Sequence, residues 1–186
     1  MQQTLNHLLE EVGRLGGIVR KLLLLSLADA GQMALRRVPV DLGLLLAEQL
    51  EDVALLAPDL TVTQEIEPNL KVACDRDLIT QVIQNLISNA IKYNRPQGWM
   101  RLLAHRQPRG MVLTIANAAH PLSPDEREHL FDRFYRGDAA HSRQTDGLGL
   151  GLSLSREIIR AHGGELSLDD SPAGEVQLRV WIPDAL

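Results

Sequence analysis

The 186-residue chain has one cysteine, Cys74, so no internal disulfide can form and a secreted disulfide scaffold is excluded. It has no basic excess. Nineteen Lys and Arg stand against 24 Asp and Glu, a net charge of −5, which argues against a nucleic-acid partner. No apolar run approaches the roughly 18–20 residues of a membrane span. The longest, around Leu22 to Leu25, is interrupted by Ser26 and Asp29. The opening MQQTLNHLLEE lacks the basic start of a signal peptide. If the protein works at a membrane, the expectation is that the spanning part lies outside this chain and that the chain itself makes no direct membrane contact. Aromatics are scarce, with two each of Trp, Tyr and Phe. There is no internal repeat and no low-complexity tract. What is present, 45% hydrophobic and 23% charged residues, fits one folded domain with a short appendage rather than a disordered chain.

The appendage comes first. Leu5, Leu8, Val12, Leu15, Val19 and Leu22 are spaced 3, 4, 3, 4 and 3, an a/d seam on one helix that closes near Gly31. Such a seam needs a partner. Either it packs on the chain's own domain, or it belongs to a dimerising helical hairpin, which its narrowness favours. Residues 32–40 read as a linker containing Pro39. A helical pattern runs from Asp41 to Leu56, a strand from Thr61 to Ile66, and another from Lys71 to Ala73. A strong helix follows from Asp75 to Tyr93. Met100–His105 and Met111–Ala116 form a hairpin turned at Pro108-Arg109-Gly110. A helix from about Leu152 to His162 and a last hairpin, Glu165–Asp169 with Val176–Ile182, complete the chain. Helices with antiparallel hairpins predict an α+β sandwich, one helical layer on one sheet.

Three segments carry possible chemistry. The 75–93 helix buries Ile79, Ile83, Leu86, Ile87 and Ala90 and shows a stripe of Gln81, Asn85, Ser88, Asn89 and Lys92. Amide oxygens suit Mg²⁺ and a lysine suits phosphate, although a plain amphipathic helix would look similar. Gly147-Leu148-Gly149-Leu150-Gly151 opens directly into a helix, where backbone N–H groups and the helix dipole attract an anion. It follows a polar stretch, GDAAHSRQTD, with the character of a lid. Because no strand precedes it, it is not a dinucleotide fingerprint. Phe131, Phe134 and Tyr135 cluster with Arg133 and Arg136, either as a core anchor or as a lid anchor that aims guanidinium groups at phosphate.

In this order the segments resemble the ATP-binding domain of sensor histidine kinases, within the group that includes gyrase, Hsp90 and MutL. Asn85-Leu-Ile-Ser-Asn89-Ala-Ile-Lys92-Tyr93 is similar to the N box, LFDRFYR at 130–136 to the F box, and Asp146-Gly-Leu-Gly-Leu-Gly-Leu152 to the G2 box, followed by Ala161-His-Gly-Gly164. The resemblance covers roughly residues 41–183. It implies a two-layer α/β sandwich of the Bergerat type, with a mixed sheet and three main helices. Residues 1–31 resemble the second helix of a dimerisation and phosphoacceptor hairpin. None of the six histidines is followed by the expected acid, so the acceptor histidine is expected outside the chain.

The resemblance further implies ATP and Mg²⁺ as ligands, with Asn89 on the metal and Asn85 supporting it. Lys92, Arg133 and Arg136 would meet phosphate. Tyr93, Leu122 and Leu150 would wall the base, Gly147, Gly149 and Gly151 would let the lid close on the triphosphate, and Leu148 and Leu152 would also belong to the ATP-binding set. It implies transfer of the γ-phosphoryl group to a histidine and onward to a response regulator, a homodimer through the hairpin, and a cytoplasmic location beneath the bacterial inner membrane. Two motifs depart from the pattern. Asn117 stands where an aspartate usually accepts the adenine amino group, and Ala119 replaces a glycine. The late Gly-Thr motif becomes Gly174-Glu175-Val176. A neutral acceptor predicts adenine binding weaker by about 1 kcal/mol. Asn117 also resembles the variant in the heavy-metal, copper and silver, subgroup, although the chain holds no clustered Cys/His metal motif. The alternative is a degenerate docking module that no longer binds nucleotide.

Overall fold

The computed structural model describes residues 2–137 and 148–184; Gly147 and most of the polar stretch before it lie outside the described residues. The chain divides into two units, 1–34 and 35–186. The first is a single helix, α1 (Gln2–Asp29). It ends as its sequence requires. Gly31 takes φ +64, its N–H bonds to Ala28 O and the Gln32 N–H bonds to Leu27 O, a Schellman closure that satisfies the last carbonyls. All six seam residues are solvent-exposed, from 42% at Leu22 to 65% at Val12.

The second unit begins with β1 (Val38–Asp41), which pairs antiparallel with β3 (Lys71–Cys74). The expected linker is therefore shorter than 32–40. Pro39 rules out a helix but is compatible with a strand in a two-stranded ribbon, where one edge needs no N–H. Asp41 then caps α2 (Leu42–Leu56), its carboxylate accepting the Leu44 N–H. The main sheet has the order β2–β4–β5–β7–β6. Here β2 is Thr61–Ile66, β4 Trp99–Gln107, β5 Gly110–Ala118, β6 Glu165–Leu168 and β7 Glu175–Pro183. The β2–β4 pair is parallel and the other pairs are antiparallel, so the sheet is mixed.

One helical layer covers one face of this sheet. Helix α3 (Arg76–Lys92) starts at Asp75, whose side chain accepts the Leu78 N–H, with Asp77 in its first turn and Lys92 in its last. Its buried side chains are the predicted ones plus Val82. Each of the Ile, Leu and Val side chains contributes roughly 1.5–3 kcal/mol by leaving water. Strand β5, central in the sheet, is buried at all nine positions. A short helix, α4 (Pro124–His129), is capped reciprocally by Ser123 and Glu126. Helix α5 (Gly151–Ala161) packs beside α3. The three main helices of the unit are thus α2, α3 and α5, which is the expected two-layer sandwich.

Candidate functional site

The amide stripe of α3 meets the glycine motif at the start of α5. Asn85 Nδ2 donates to Ser155 Oγ at 3.0 Å, and Ser155 is buried. Gly151, one turn before Ser155, lies so close to the Asn85 amide that an added Cβ would fall 2.9 Å from its Cγ. The two helices approach here because one has no side chain and the other a short polar one. Asn89 is one turn further along the same stripe and half-buried. Lys92 ends the stripe, with its ammonium 5.1 Å from the ring centroid of the half-exposed Tyr93.

Gly149 turns the chain into α5 with φ +68, a left-handed conformation that disfavours other residues. Its carbonyl accepts the Phe134 N–H at 2.9 Å, and a Cβ would lie 2.7 Å from the Phe134 carbonyl carbon. Phe134 is itself at φ +63 and exposed. The aromatic segment therefore clasps the glycine turn through its backbone, while Phe131 is half-buried beneath Arg156, whose guanidinium is 5.2 Å from its centroid. Arg133, Arg136 and Leu148 are exposed, Leu152 is half-buried, and Leu150 is buried at the N-cap of α5. That N-cap supplies no side-chain hydrogen bond, and the first turn holds no acid.

Asn117 is 6% exposed near the end of β5, between Met100 of β4 and Val176 of β7. Its Nδ2 donates to Ala118 O at 3.1 Å, leaving Oδ1 as the outward acceptor. Ala118 O also accepts the Arg95 N–H, and the Ala119 N–H bonds to Gly174 O. The end of α3, the end of β5 and the start of β7 thus meet. Leu122 follows, half-buried, before α4.

The other end of α5 is tied down. His162 is 1% exposed; its Nδ1–H donates to Ile158 O at 2.8 Å, and its Nε2 accepts the Asp75 N–H at 3.0 Å. Burial lowers its pKa and holds the ring neutral. Arg37 Nη2 reaches His162 O at 3.2 Å.

Residues 74–186 match the family described as histidine kinase-, DNA gyrase B-, and HSP90-like ATPase. The chain belongs to this family. It is 33% identical over 97% of its length to the signal transduction histidine-protein kinase BaeS of Escherichia coli (strain K12), of which it covers 39%. It is 38% identical over 87% of its length to the probable sensor protein PcoS of Escherichia coli, of which it covers 34%. The chain therefore spans little more than a third of these relatives. The ATP-binding domain of PrrB from Mycobacterium tuberculosis shares the fold with a TM-score of 0.65 and 27% identity, over 81% of this chain and 98% of that one. Family membership gives the ATP-binding class of domain and does not favour the degenerate docking module. No described helix is long and apolar enough to cross a membrane.

The residues suit Mg²⁺-ATP on structural grounds. Among the described residues, the N-cap of α5 makes no side-chain hydrogen bond and the first turn holds no acid to compete with an anion, and the Asn85 amide supplies a hard oxygen beside it. Sequence reasoning missed Ser155 and the backbone contact of Phe134 with Gly149. Ser155 was legible as the residue four after Gly151, on the same face of α5. The left-handed backbone of Phe134 had no signal. Gly147 falls outside the described residues.

Proposed function

We propose that this chain is the ATP-binding catalytic part of a sensor histidine kinase, transferring the γ-phosphoryl group of ATP to a histidine outside residues 1–186, for relay to a response regulator. The carrying observation is the uncapped N-terminus of α5, entered through the left-handed Gly149 and facing the Asn85 amide. This arrangement suits a polyphosphate: a preformed turn, the N–H groups of a helix start and neutral amides in place of repelling carboxylates.

In this reading Asn89 holds Mg²⁺, and Asn85, fixed through Ser155, keeps that face of α3 against the glycine turn. The ion, when bound, neutralises phosphate charge as the phosphoryl group moves. Lys92, Arg133 and Arg136 contact phosphate. Gly147 and Gly149 let the lid close, with Leu148 and Leu152 beside them, while Gly151 admits α3. Tyr93, Leu122 and Leu150 flank the base, whose amino group donates to Asn117 Oδ1. Hydrolytic relatives such as gyrase place a glutamate one turn before the metal-binding asparagine. Asn85 stands there and cannot take a proton from water, which favours transfer over hydrolysis. The exposed seam of α1 pairs with a second copy, and the catalytic unit works on the cytoplasmic side of the inner membrane, anchored by parts of the protein outside this chain.

The test is Asn89→Ala. Binding of a fluorescent ATP analogue with Mg²⁺ is expected to fall by about tenfold or more, the scale of one lost charge-assisted contact. Unchanged affinity defeats the assignment.

A further inference from the structure

A cavity of about 630 Å³ opens on the flank of α5 away from the stripe that faces α3. Gly151 and Ser155 form one i,i+4 row against Asn85, and Arg156 and Arg160 form the next row round the helix. Those two arginines, with Arg127 of α4, line the cavity, and Phe131, Glu165 and Ser167 are among its other walls. None of the residues assigned above to ATP or Mg²⁺ lines it.

Three guanidinium groups converge here, against one lining carboxylate. Two are tethered at the rim: Arg127 to Asp170 at 2.8 Å and Arg160 to Glu157 at 2.9 Å. Asp170 is fully exposed and Arg160 is 57% exposed, so these pairs contribute little and exchange readily for a stronger acceptor. Arg156 is different. Among the described residues it forms no ion pair, and its Nε is buried with no hydrogen-bond partner. Its plane is fixed over Phe131. A guanidinium ordered over Phe131, with no ion pair of its own among the described residues and in one cavity with two further arginines, suits a ligand with more than one negative charge. The volume is that of a small-molecule site.

We infer that this cavity binds a small multivalent anion carrying two or more carboxylate or phosphate groups, with Arg156 as the central contact and Arg127 and Arg160 closing on it. The assignment stands independently of the nucleotide reading.

Calorimetric titration of the 186-residue chain with citrate, and separately with tripolyphosphate, tests it at low ionic strength. Saturable binding of at least one is expected, and which one binds separates a carboxylate from a phosphate ligand. Binding should persist in the presence of saturating Mg²⁺-ADP and in Asn89→Ala. Arg156→Gln should weaken it by about tenfold or more, and Arg156→Lys, which keeps the charge but not the fork, by less. Arg160→Gln gives the same test at an exposed position if Arg156→Gln melts early. No saturable binding, binding indifferent to both glutamine variants, or binding displaced by Mg²⁺-ADP overturns the inference.

Discussion

The two ends of α5 are built on opposite plans. At the C-terminal end every available device closes the helix. Gly163, at φ +80, donates to Arg160 O, the Gly164 N–H bonds to Ile159 O, His162 bridges Ile158 to Asp75, and Arg37 covers the His162 carbonyl. At the N-terminal end, among the described residues, the N-cap gives no side-chain hydrogen bond, the first turn holds no acid, and the glycine turn is held by the backbone of Phe134. A helix normally caps the end that leaves N–H groups unpaired, because they are costly when unsatisfied. Here the end that needs a cap lacks one, while the other end is closed redundantly. The helix is anchored at the end far from the glycine turn, and its first turn, without an acid, suits an anion.

That contrast can be broken from either side. The largest effect on nucleotide binding is expected at the open end. Gly151→Ala places a methyl against the Asn85 amide, which is already held by Ser155, so α3 and α5 must separate. Overpacking of this kind costs roughly 1–3 kcal/mol, read as a lower melting temperature. Nucleotide binding should be lost well beyond what that destabilisation explains. A variant that melts early yet binds an ATP analogue normally would remove the α3–α5 contact from the site.

The closed end should behave as pure structure, with a pH signature. His162 is neutral in the folded state, with its pKa lowered by burial and by Arg37, against the raising influence of Asp75 and of its bond to Ile158 O. A lowered folded pKa means that the unfolded chain binds the extra proton first. Stability is therefore complete above about pH 6.5, the unfolded histidine value, and declines as pH falls from there toward the folded pKa. His129 titrates in the opposite sense, its pKa raised by the hydrogen bond to Asp132. His162→Ala should cost about 2–4 kcal/mol through a cavity and an unpaired Asp75 N–H, and should remove the acid-side decline attributable to this residue. Nucleotide affinity of the folded fraction should hardly change. Urea melts at several pH values, paired with a nucleotide titration, separate the two ends of the helix.

Much of this was legible in the residues. The 3.6-residue spacing of Ile79, Ile83, Leu86 and Ala90 and the Asp75 cap defined α3, and alternation of Val176, Leu178, Val180 and Ile182 defined β7. Those patterns are local. The β1–β3 ribbon was hidden because its pairing spans more than thirty residues and one strand contains a proline. Helix α4 was overlooked although Ser123-Pro124-Asp125-Glu126 spells a capping box with Pro at the first position. The site divided in the same way. Asn85, Asn89 and the glycines announced themselves by type and spacing. The contacts that bind them, Asn85 to Ser155 and Phe134 to Gly149, depend on tertiary approach, which no periodicity encodes.

The smallest predicted effect concerns the adenine acceptor, and its sign is informative. Asn117 uses Nδ2 to satisfy Ala118 O and so turns Oδ1 toward a donor. Asn117→Asp replaces that neutral oxygen by a charged one, which should tighten adenine nucleotides by about 1 kcal/mol, or roughly fivefold. The same change deletes the Nδ2 bond and sets a carboxylate beside the Ala118 carbonyl at a site only 6% exposed. The nucleotide-free protein should therefore lose about 1 kcal/mol of stability. Tighter ADP with a lower apo melting temperature is the expected pair of results, measured by calorimetry and thermal shift. Weaker ADP would mean that Oδ1 does not face the base, and Asn117 would then belong to the sheet rather than to the site.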